Sequence, residues 1–333
     1  YKRQLASRAS AAAPPSHTDS ARPSTARARR ERITVAMMVA IPPALARAHD
    51  AFATLEPFLA PLGEWTAKVV TGNPAHDVAR ALFTYYFMSI ACNAFIMLVS
   101  LCFSRGVVGA KRFDAMKPHE RTTWHTNLCT FWPAFAVTAY ALPAIATFSG
   151  KSDSFVSDVS ALTSKACGLS IGYMTWDLGV ILARWDDQVV AYGGKGALYL
   201  FIVHHVFSIV LWPYALMRHL CAYHINYFLV SEVTNFNMSL RWILAALNMS
   251  NTKLYLINGL AWIPLFLGVR VVVIPQLFAA YMNSDWGVLT TPQYYAALLT
   301  LPIPSLLNLY WAQQIVVGAA KFLITGEDVL KQD

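Results

Sequence analysis

The chain is poor in charge and has no organised set of cysteines. Charged residues make up 13% of its 333 residues, whereas a soluble domain carries about 25%. The five cysteines are scattered, without the close Cys or His spacing of a zinc site or a disulfide framework. We therefore expect no metal site and interpret the cysteines as small buried apolar residues. No stretch has the strict alternation of apolar and polar residues that predicts a strand.

Long apolar runs take up most of the chain instead. Its hydrophobic content is 56% and its mean hydropathy +0.42, and a helix that crosses a bilayer needs about 20 mostly apolar residues. The fold class we predict is all-α, a polytopic transmembrane helix bundle of about seven spans over residues 79–325. The expected spans are residues 79–103, 125–148, 166–184, 197–217, 222–247, 255–281 and 295–320. An amphipathic or partly inserted helix is expected before them, at residues 51–78.

The first part of the chain, residues 1–50, is predicted to be an extended basic arm. Residues 1–34 hold eight basic and two acidic residues, which accounts for +6 of the net charge of +8. The Ala, Ser and Arg content is typical of a mitochondrial or plastid transit peptide, and the alternative is a disordered basic arm. Because the membrane body is nearly neutral, the basic pI does not indicate nucleic acid. A segment this polar has no core of its own, so we expect other membrane-protein subunits to contact it.

The loop at residues 105–121 is the most basic of the connections between predicted spans. By the positive-inside rule it faces the cytosol or the matrix. Simple alternation of the spans then places the basic arm on the opposite side. An extra membrane pass within residues 33–70 would remove this conflict.

Several predicted spans contain ionisable residues, which cost about 2.5–3.5 kcal/mol each for Asp, Lys or Arg at a helix centre. Such residues usually face the interior of a bundle, pair with one another or line a cavity. The fifth span is polar on two opposite faces, so we expect neighbours on both. The polar residues that we group as a candidate site are Tyr173, Asp177, His204, His205, Glu232, Asn235, Arg241 and Arg270.

Two interpretations of these residues stay open, and both can hold. Asp177 and Glu232 could pair with Arg241 and Arg270 as structural ions, or the group could form a polar pocket that binds a lipid head group. His204 and His205 are adjacent on a helix and point about 100° apart, so they cannot both bind one metal ion. One of them would suffice as a general base. Five tryptophans near span ends suit interfacial belts rather than a site: Trp124, Trp212, Trp242, Trp286 and Trp311.

Taken in order, the motifs of residues 120–318 resemble the TLC-domain family. This family includes ceramide synthases, translocation-channel accessory proteins and small regulators of membrane lipid composition, and the resemblance is greatest to the lipid regulators. The matching motifs are Gly172-Tyr173 with Asp177, His204-His205, Glu232-Val-Thr with Arg241-Trp242, Asn258-Gly259, Phe266, Arg270 and Pro275.

The chain departs from the ceramide synthases at the residues that would support catalysis. In those enzymes a His-Asp and a further Asp follow the His-His pair, whereas Ser231, Glu232 and Asn235 stand at these positions here. A further family histidine, nine residues after Trp124, is replaced by Pro133. A base without its orienting carboxylates is a poor candidate for acyl transfer.

The resemblance therefore implies a non-enzymatic protein that binds or organises phospholipid or another membrane lipid, without a cofactor. With the transit-like arm, it suggests an accessory subunit of a larger organellar complex. The mitochondrial inner membrane is favoured over the endoplasmic reticulum or plasma membrane. The alternative is a ceramide-synthase-like acyltransferase that takes acyl-CoA and uses His204 or His205 as the base. A transporter has little support, because the sequence contains no inverted repeat.

Overall fold

The computed structural model describes residues 43–146 and 155–325. The predicted basic arm falls outside these residues, apart from its last eight, which are helical. The described helices are α1 (Pro43–Thr71), α2 (Asp77–Val108), α3 (Ala110–Ala115), α4 (Pro118–Ala146), α5 (Ala161–Ala183), α6 (Trp185–Ala191), α7 (Lys195–Met217), α8 (Ala222–Val230), α9 (Thr234–Ala246), α10 (Lys253–Phe266), α11 (Ile274–Asn283), α12 (Thr291–Thr300) and α13 (Pro302–Thr325). Within the described ranges there are no strands, which confirms the all-α prediction.

Five stretches of helix in the described chain are long and apolar enough to cross a membrane. They are Asp77–Val108, Pro118–Ala146, Ala161–Ala183, Lys195–Met217 and Lys253–Asn283. The other two predicted spans are also largely helical. The first of these, residues 222–247, comprises α8, a 3-10 turn at Ser231–Val233 and α9, and the second falls on α12 and α13.

Helices α2 and α5 have the most extensive contact in the bundle, and glycines on α5 allow it. A Cβ placed on Gly172 would lie 2.5 Å from the carbonyl oxygen of Tyr86, and one on Gly168 would clash with that of Leu82. Small residues spaced by four let membrane helices approach backbone to backbone. At this contact the Ser89 hydroxyl donates a hydrogen bond to the carbonyl of Leu169, at 2.7 Å.

Helix α1 lies beside α2 and turns a charged residue toward the bundle. Glu56 accepts hydrogen bonds from the Tyr85 hydroxyl and the Lys165 ammonium, each at 2.8 Å. The other face of α1 exposes Phe58 and Trp65, which are 79% and 61% accessible. Asp50, Glu64 and Lys68 are exposed as well, and α1 is not among the described helices that are apolar enough to cross a membrane. The extra membrane pass stays a prediction.

Two irregular turns bring polar residues into the middle of the bundle. Ser231–Val233 forms the 3-10 turn between α8 and α9, and Leu267–Val271 forms a π-turn after α10. π-Turns within helices often mark functional positions. These two turns carry Glu232 and Arg270, whose side chains are buried.

The glycine contact predicts opposite effects for the same substitution at two positions of α5. Gly172→Ala should lower the free energy of unfolding by about 1–3 kcal/mol, because the new methyl group meets a backbone that cannot move away cheaply. Gly179→Ala is the matched control, since a Cβ there meets nothing within 4 Å. It should be neutral or stabilising, by up to about 1 kcal/mol of helix propensity. Thermal unfolding in detergent measures both, and equal stability of the two variants would contradict the close approach.

Candidate functional site

A cavity of about 490 Å³ lies among the helices, and seven of the eight predicted site residues line it. They come from α5, α7, the 3-10 turn, α9 and the π-turn: Tyr173, Asp177, His204, His205, Glu232, Asn235 and Arg270. His204 lies about 14 Å along α7 from its first residue, at 1.5 Å per residue. It is therefore near the middle of a 23-residue helix that is long enough to cross a bilayer.

Asp177 and His205 form a close pair across α5 and α7. The Oδ2 atom of Asp177 lies 3.1 Å from Nε2 of His205. On the other side of the ring, Nδ1 lies 2.8 Å from the carbonyl oxygen of Phe201 and must carry the proton of that hydrogen bond. Nε2 is buried against the Asp177 carboxylate but has no hydrogen-bond partner among the described residues. The contact is an ion pair only when the imidazole carries a second proton.

Arg270 connects three segments through its guanidinium group. Nε donates to the Thr234 hydroxyl at 2.9 Å, Nη1 to Oδ1 of Asn308 at 3.0 Å, and Nη2 to the carbonyl of Ser231 at 2.9 Å. A longer contact of 3.4 Å joins Nη2 to Oδ1 of Asn235. The planar fork of an arginine suits several acceptors at once. Arg270 thus ties the π-turn to the 3-10 turn with α9 and to α13.

Two aromatic rings also lie near this guanidinium. Its central carbon lies over the ring of Phe266, 5.2 Å from the ring centre, and over that of Trp311, at 5.9 Å. Cation–π contacts stabilise a desolvated guanidinium by up to about 2 kcal/mol. Arg270 is consequently held both by hydrogen-bond acceptors and by aromatic rings.

Glu232 lies near Arg270 and its side chain is only partly satisfied. One oxygen accepts a hydrogen bond of 2.6 Å from the Asn235 amide. The residue is 8% accessible, and its other oxygen accepts no hydrogen bond from the described residues. A carboxylate can accept about four such bonds. Glu232 therefore presents spare acceptor capacity to the cavity.

Arg241 is the predicted site residue that the structure places elsewhere. It lies on the opposite face of α9, with its guanidinium carbon 4.2 Å from the ring centre of Tyr255. A Cβ on Gly259 would come within 2.7 Å of its Nη1 atom, so the glycine leaves room for the arginine. On the same face, Asn237 and Asn258 hydrogen-bond to each other across α9 and α10, at 2.9 and 2.8 Å. The second polar face of the fifth predicted span thus packs against α10.

A smaller apolar groove adjoins the polar cavity. Its walls come mainly from α7, α8, α12 and α13, and it shares with the cavity His204, Trp212, Phe228, Pro304 and Leu307. Two of its residues, Val203 and Phe207, are 46% and 42% accessible on the outside of the bundle. His204 therefore lies where a polar chamber meets an apolar groove that reaches the lipid-facing surface.

Sequence reasoning missed a further set of lining residues. Three tryptophans interpreted as interfacial line the cavity, and so do polar residues of α4 and α13: Trp212, Trp242, Trp311, Thr126, Asn127, Thr130 and Asn308. Thr130 and Asn308 contact predicted site residues directly, through the Tyr173 hydroxyl at 2.9 Å and through Arg270. The sequence did contain one signal for the polar members of this set, namely that they are polar residues within apolar helices. In the part of the chain that the structure covers, no three His, Cys, Asp or Glu side chains are grouped to hold a metal ion.

A TLC domain model matches residues 123–317, more than half of the chain, so the chain belongs to the TLC domain family. The cavity lies largely within this region, and the predicted family is confirmed. The TLC domain-containing protein 4-B of Danio rerio is 23% identical over 224 residues, which cover 65% of this chain and 80% of that protein. The human TLC domain-containing protein 4 is 22% identical over 254 residues, 72% of this chain and 92% of that protein. A Dictyostelium discoideum protein, TLC domain-containing protein 4 A, is 31% identical over 98 residues, 29% and 38% of the two chains.

The contacts of Arg270 predict a large loss of stability when the guanidinium is removed. Arg270→Met should lower the free energy of unfolding by about 3–5 kcal/mol, because Glu232 loses its nearby cation and the acceptors lose their donors. Arg80→Met is a control at an arginine whose side chain is 48% accessible. A surface ion pair contributes about 0–1 kcal/mol. Unfolding in detergent compares the two, and similar midpoints would exclude Arg270 as the connection between the segments.

Proposed function

We propose that this chain is a lipid-binding membrane protein that holds the polar end of a lipid in the cavity and its chain in the adjoining groove. One observation carries the proposal: seven polar residues predicted from the sequence line one chamber at membrane depth, and that chamber meets an apolar groove. Ligand sites combine a mostly apolar lining with a few convergent polar groups. An amphiphile matches such a pair of compartments.

The surroundings of the His-His pair support a binding role over catalysis. A general base needs a free nitrogen within hydrogen-bonding reach of the substrate proton. Nδ1 of His205 donates to the Phe201 carbonyl, and Nε2 is buried 3.1 Å from Asp177, without a hydrogen-bond partner among the described residues. His204 reaches the cavity, but its ring stands at 90° to that of His205, and no carboxylate is found within ion-pair distance among the described residues.

Acyl transfer remains a second candidate function because of Asp177. Ser231, Glu232 and Asn235 stand where the ceramide synthases carry the partners of the His-His pair, and only Glu232 is a carboxylate. Asp177, from another helix, places a further carboxylate beside His205. In this alternative an acyl-CoA binds with its chain in the groove, and His204 or His205 accepts the proton of the attacking lipid.

Filling the cavity should remove the bound lipid. Ile315 is half-buried on α13 and lines the chamber, so Ile315→Trp should displace a lipid that copurifies with the chain. Val316→Trp is the control, since Val316 is 47% accessible and lies outside the lining. Native mass spectrometry should find lipid on the wild type and on the control but not on Ile315→Trp. Lipid retained by all three would refute binding in this cavity, and acyl-CoA turnover that is lost in His204→Ala would favour the alternative.

The proposal extends to an accessory role in a larger membrane complex, with the mitochondrial inner membrane as its favoured location. Its support is compositional: residues 1–34 carry +6 of the net charge in a transit-like segment. A segment this polar has no hydrophobic core of its own. Other subunits would provide that surface.

Mild solubilisation followed by native electrophoresis tests the accessory role. The full chain should migrate in stoichiometric amounts with a large complex, which mass spectrometry of the band would identify. Fractionation of the same cells gives the organelle. Migration as a monomer or small oligomer would overturn the accessory role and leave the lipid-binding proposal standing.

A further inference from the structure

The charged groups of the cavity are not equally available to a ligand. Asp177 lies 3.1 Å from Nε2 of His205. Arg270 directs four of its five N–H groups at protein acceptors, and two aromatic rings lie near its central carbon. A phosphate or carboxylate could form the two-bond contact typical of arginine only by displacing a protein acceptor. The single buried arginine of the chamber is therefore not an open anion site.

Glu232 is the group whose hydrogen bonding is incomplete. It is more than nine-tenths buried, lines the cavity, and accepts one bond from Asn235. Its second oxygen has no donor among the described residues. Burying a carboxylate is costly unless its oxygens are hydrogen-bonded. The Ser239 hydroxyl and the Trp262 N–H also line the cavity without a partner among the described residues, but Glu232 is the charged group whose hydrogen bonding is incomplete. A ligand can supply the donor that this carboxylate lacks.

We infer that the cavity takes a neutral or cationic lipid whose polar end donates hydrogen bonds, through a hydroxyl or ammonium group, to Glu232. This inference rests on the proposed lipid-binding function and names the chemistry of the head group. A phosphate or carboxylate at that end would lie next to the Glu232 carboxylate. Most N–H groups of the Arg270 guanidinium already donate to protein acceptors. Like charges close together in a low-dielectric site repel strongly. Anionic head groups are excluded for that reason.

A matched ligand series in detergent tests the inference on the full-length protein. The probes are monopalmitoylglycerol, hexadecylamine, palmitate and palmitoyl-lysophosphatidate, which have saturated chains of the same length. The first two should bind roughly tenfold or more tightly than the last two, since hydrogen bonds to a buried charge are worth about a factor of ten or more. Displacement of a fluorescent fatty-chain probe measures all four.

The substitution Glu232→Gln tests whether the charge of Glu232, rather than the shape of its side chain, determines ligand binding. The amide keeps one acceptor oxygen and loses the charge, so hexadecylamine should weaken roughly tenfold, whereas monopalmitoylglycerol should change little. Glu64→Gln is the control, at a side chain that is 48% accessible on α1. If Glu232→Gln does not fold, the wild-type ligand series decides alone.

The outcomes separate this inference from the proposed function. Tighter binding of lysophosphatidate or palmitate, equal binding of all four, or an unchanged amine affinity in Glu232→Gln would overturn the inference and leave lipid binding intact. Failure of all four probes to bind, with no copurified lipid, would overturn both. Preference for the donors, with loss of the amine preference in Glu232→Gln, would support it.

Discussion

A guanidinium group inside an apolar bundle has to be satisfied by protein acceptors, and the arrangement of the site depends on how Arg270 meets this constraint. Its acceptors lie on the 3-10 turn, on α9 and on α13, at distances of 2.9 to 3.0 Å for the three shortest bonds. The π-turn directs Arg270 toward the chamber. Its side chain therefore holds the 3-10 turn, α9 and α13 around the open space of the chamber. Breaking a buried ionic arrangement costs far more than forming it gains. If these segments moved, Arg270 would lose its acceptors. The free energy that this loss costs keeps the chamber in place.

The tight contact between α2 and α5 complements this open region. Gly168 and Gly172 bring the backbones of these helices together, so the first half of the domain is closely packed. Tyr173, which directly follows Gly172, and Asp177, just over one turn further on, reach the cavity from the same helix. Because the contact between α2 and α5 is too close to adjust, it fixes the direction in which Tyr173 and Asp177 point. The close approach on one side of α5 thus positions the polar stripe on its other side.

Composition and periodicity predicted the class of fold and grouped seven polar residues that the structure brings to one chamber, because ionisable residues on apolar helices usually face the interior of a bundle. They could not predict which of the polar side chains contact one another. The Asp177–His205 contact depends on how α5 and α7 are rotated about their axes, and local sequence does not contain that rotation. Arg241 was grouped with the site by its charge, but Gly259 and Tyr255 give it a place against α10. The tryptophans were assigned to membrane interfaces by their position near span ends, while the broken helices bring three of them to the chamber.

The surroundings of His205 are the main argument for binding over catalysis. A carboxylate beside an imidazole usually prepares it as a base, by fixing its tautomer and orientation. That requires the second ring nitrogen to face the substrate. In His205 the second nitrogen donates to the carbonyl of Phe201 in the preceding turn of its own helix, so the pair is closed to a substrate unless the ring rotates. Asp177 and His205 then face each other as a polar part of the cavity wall, which leaves Glu232 as the carboxylate with capacity for a ligand.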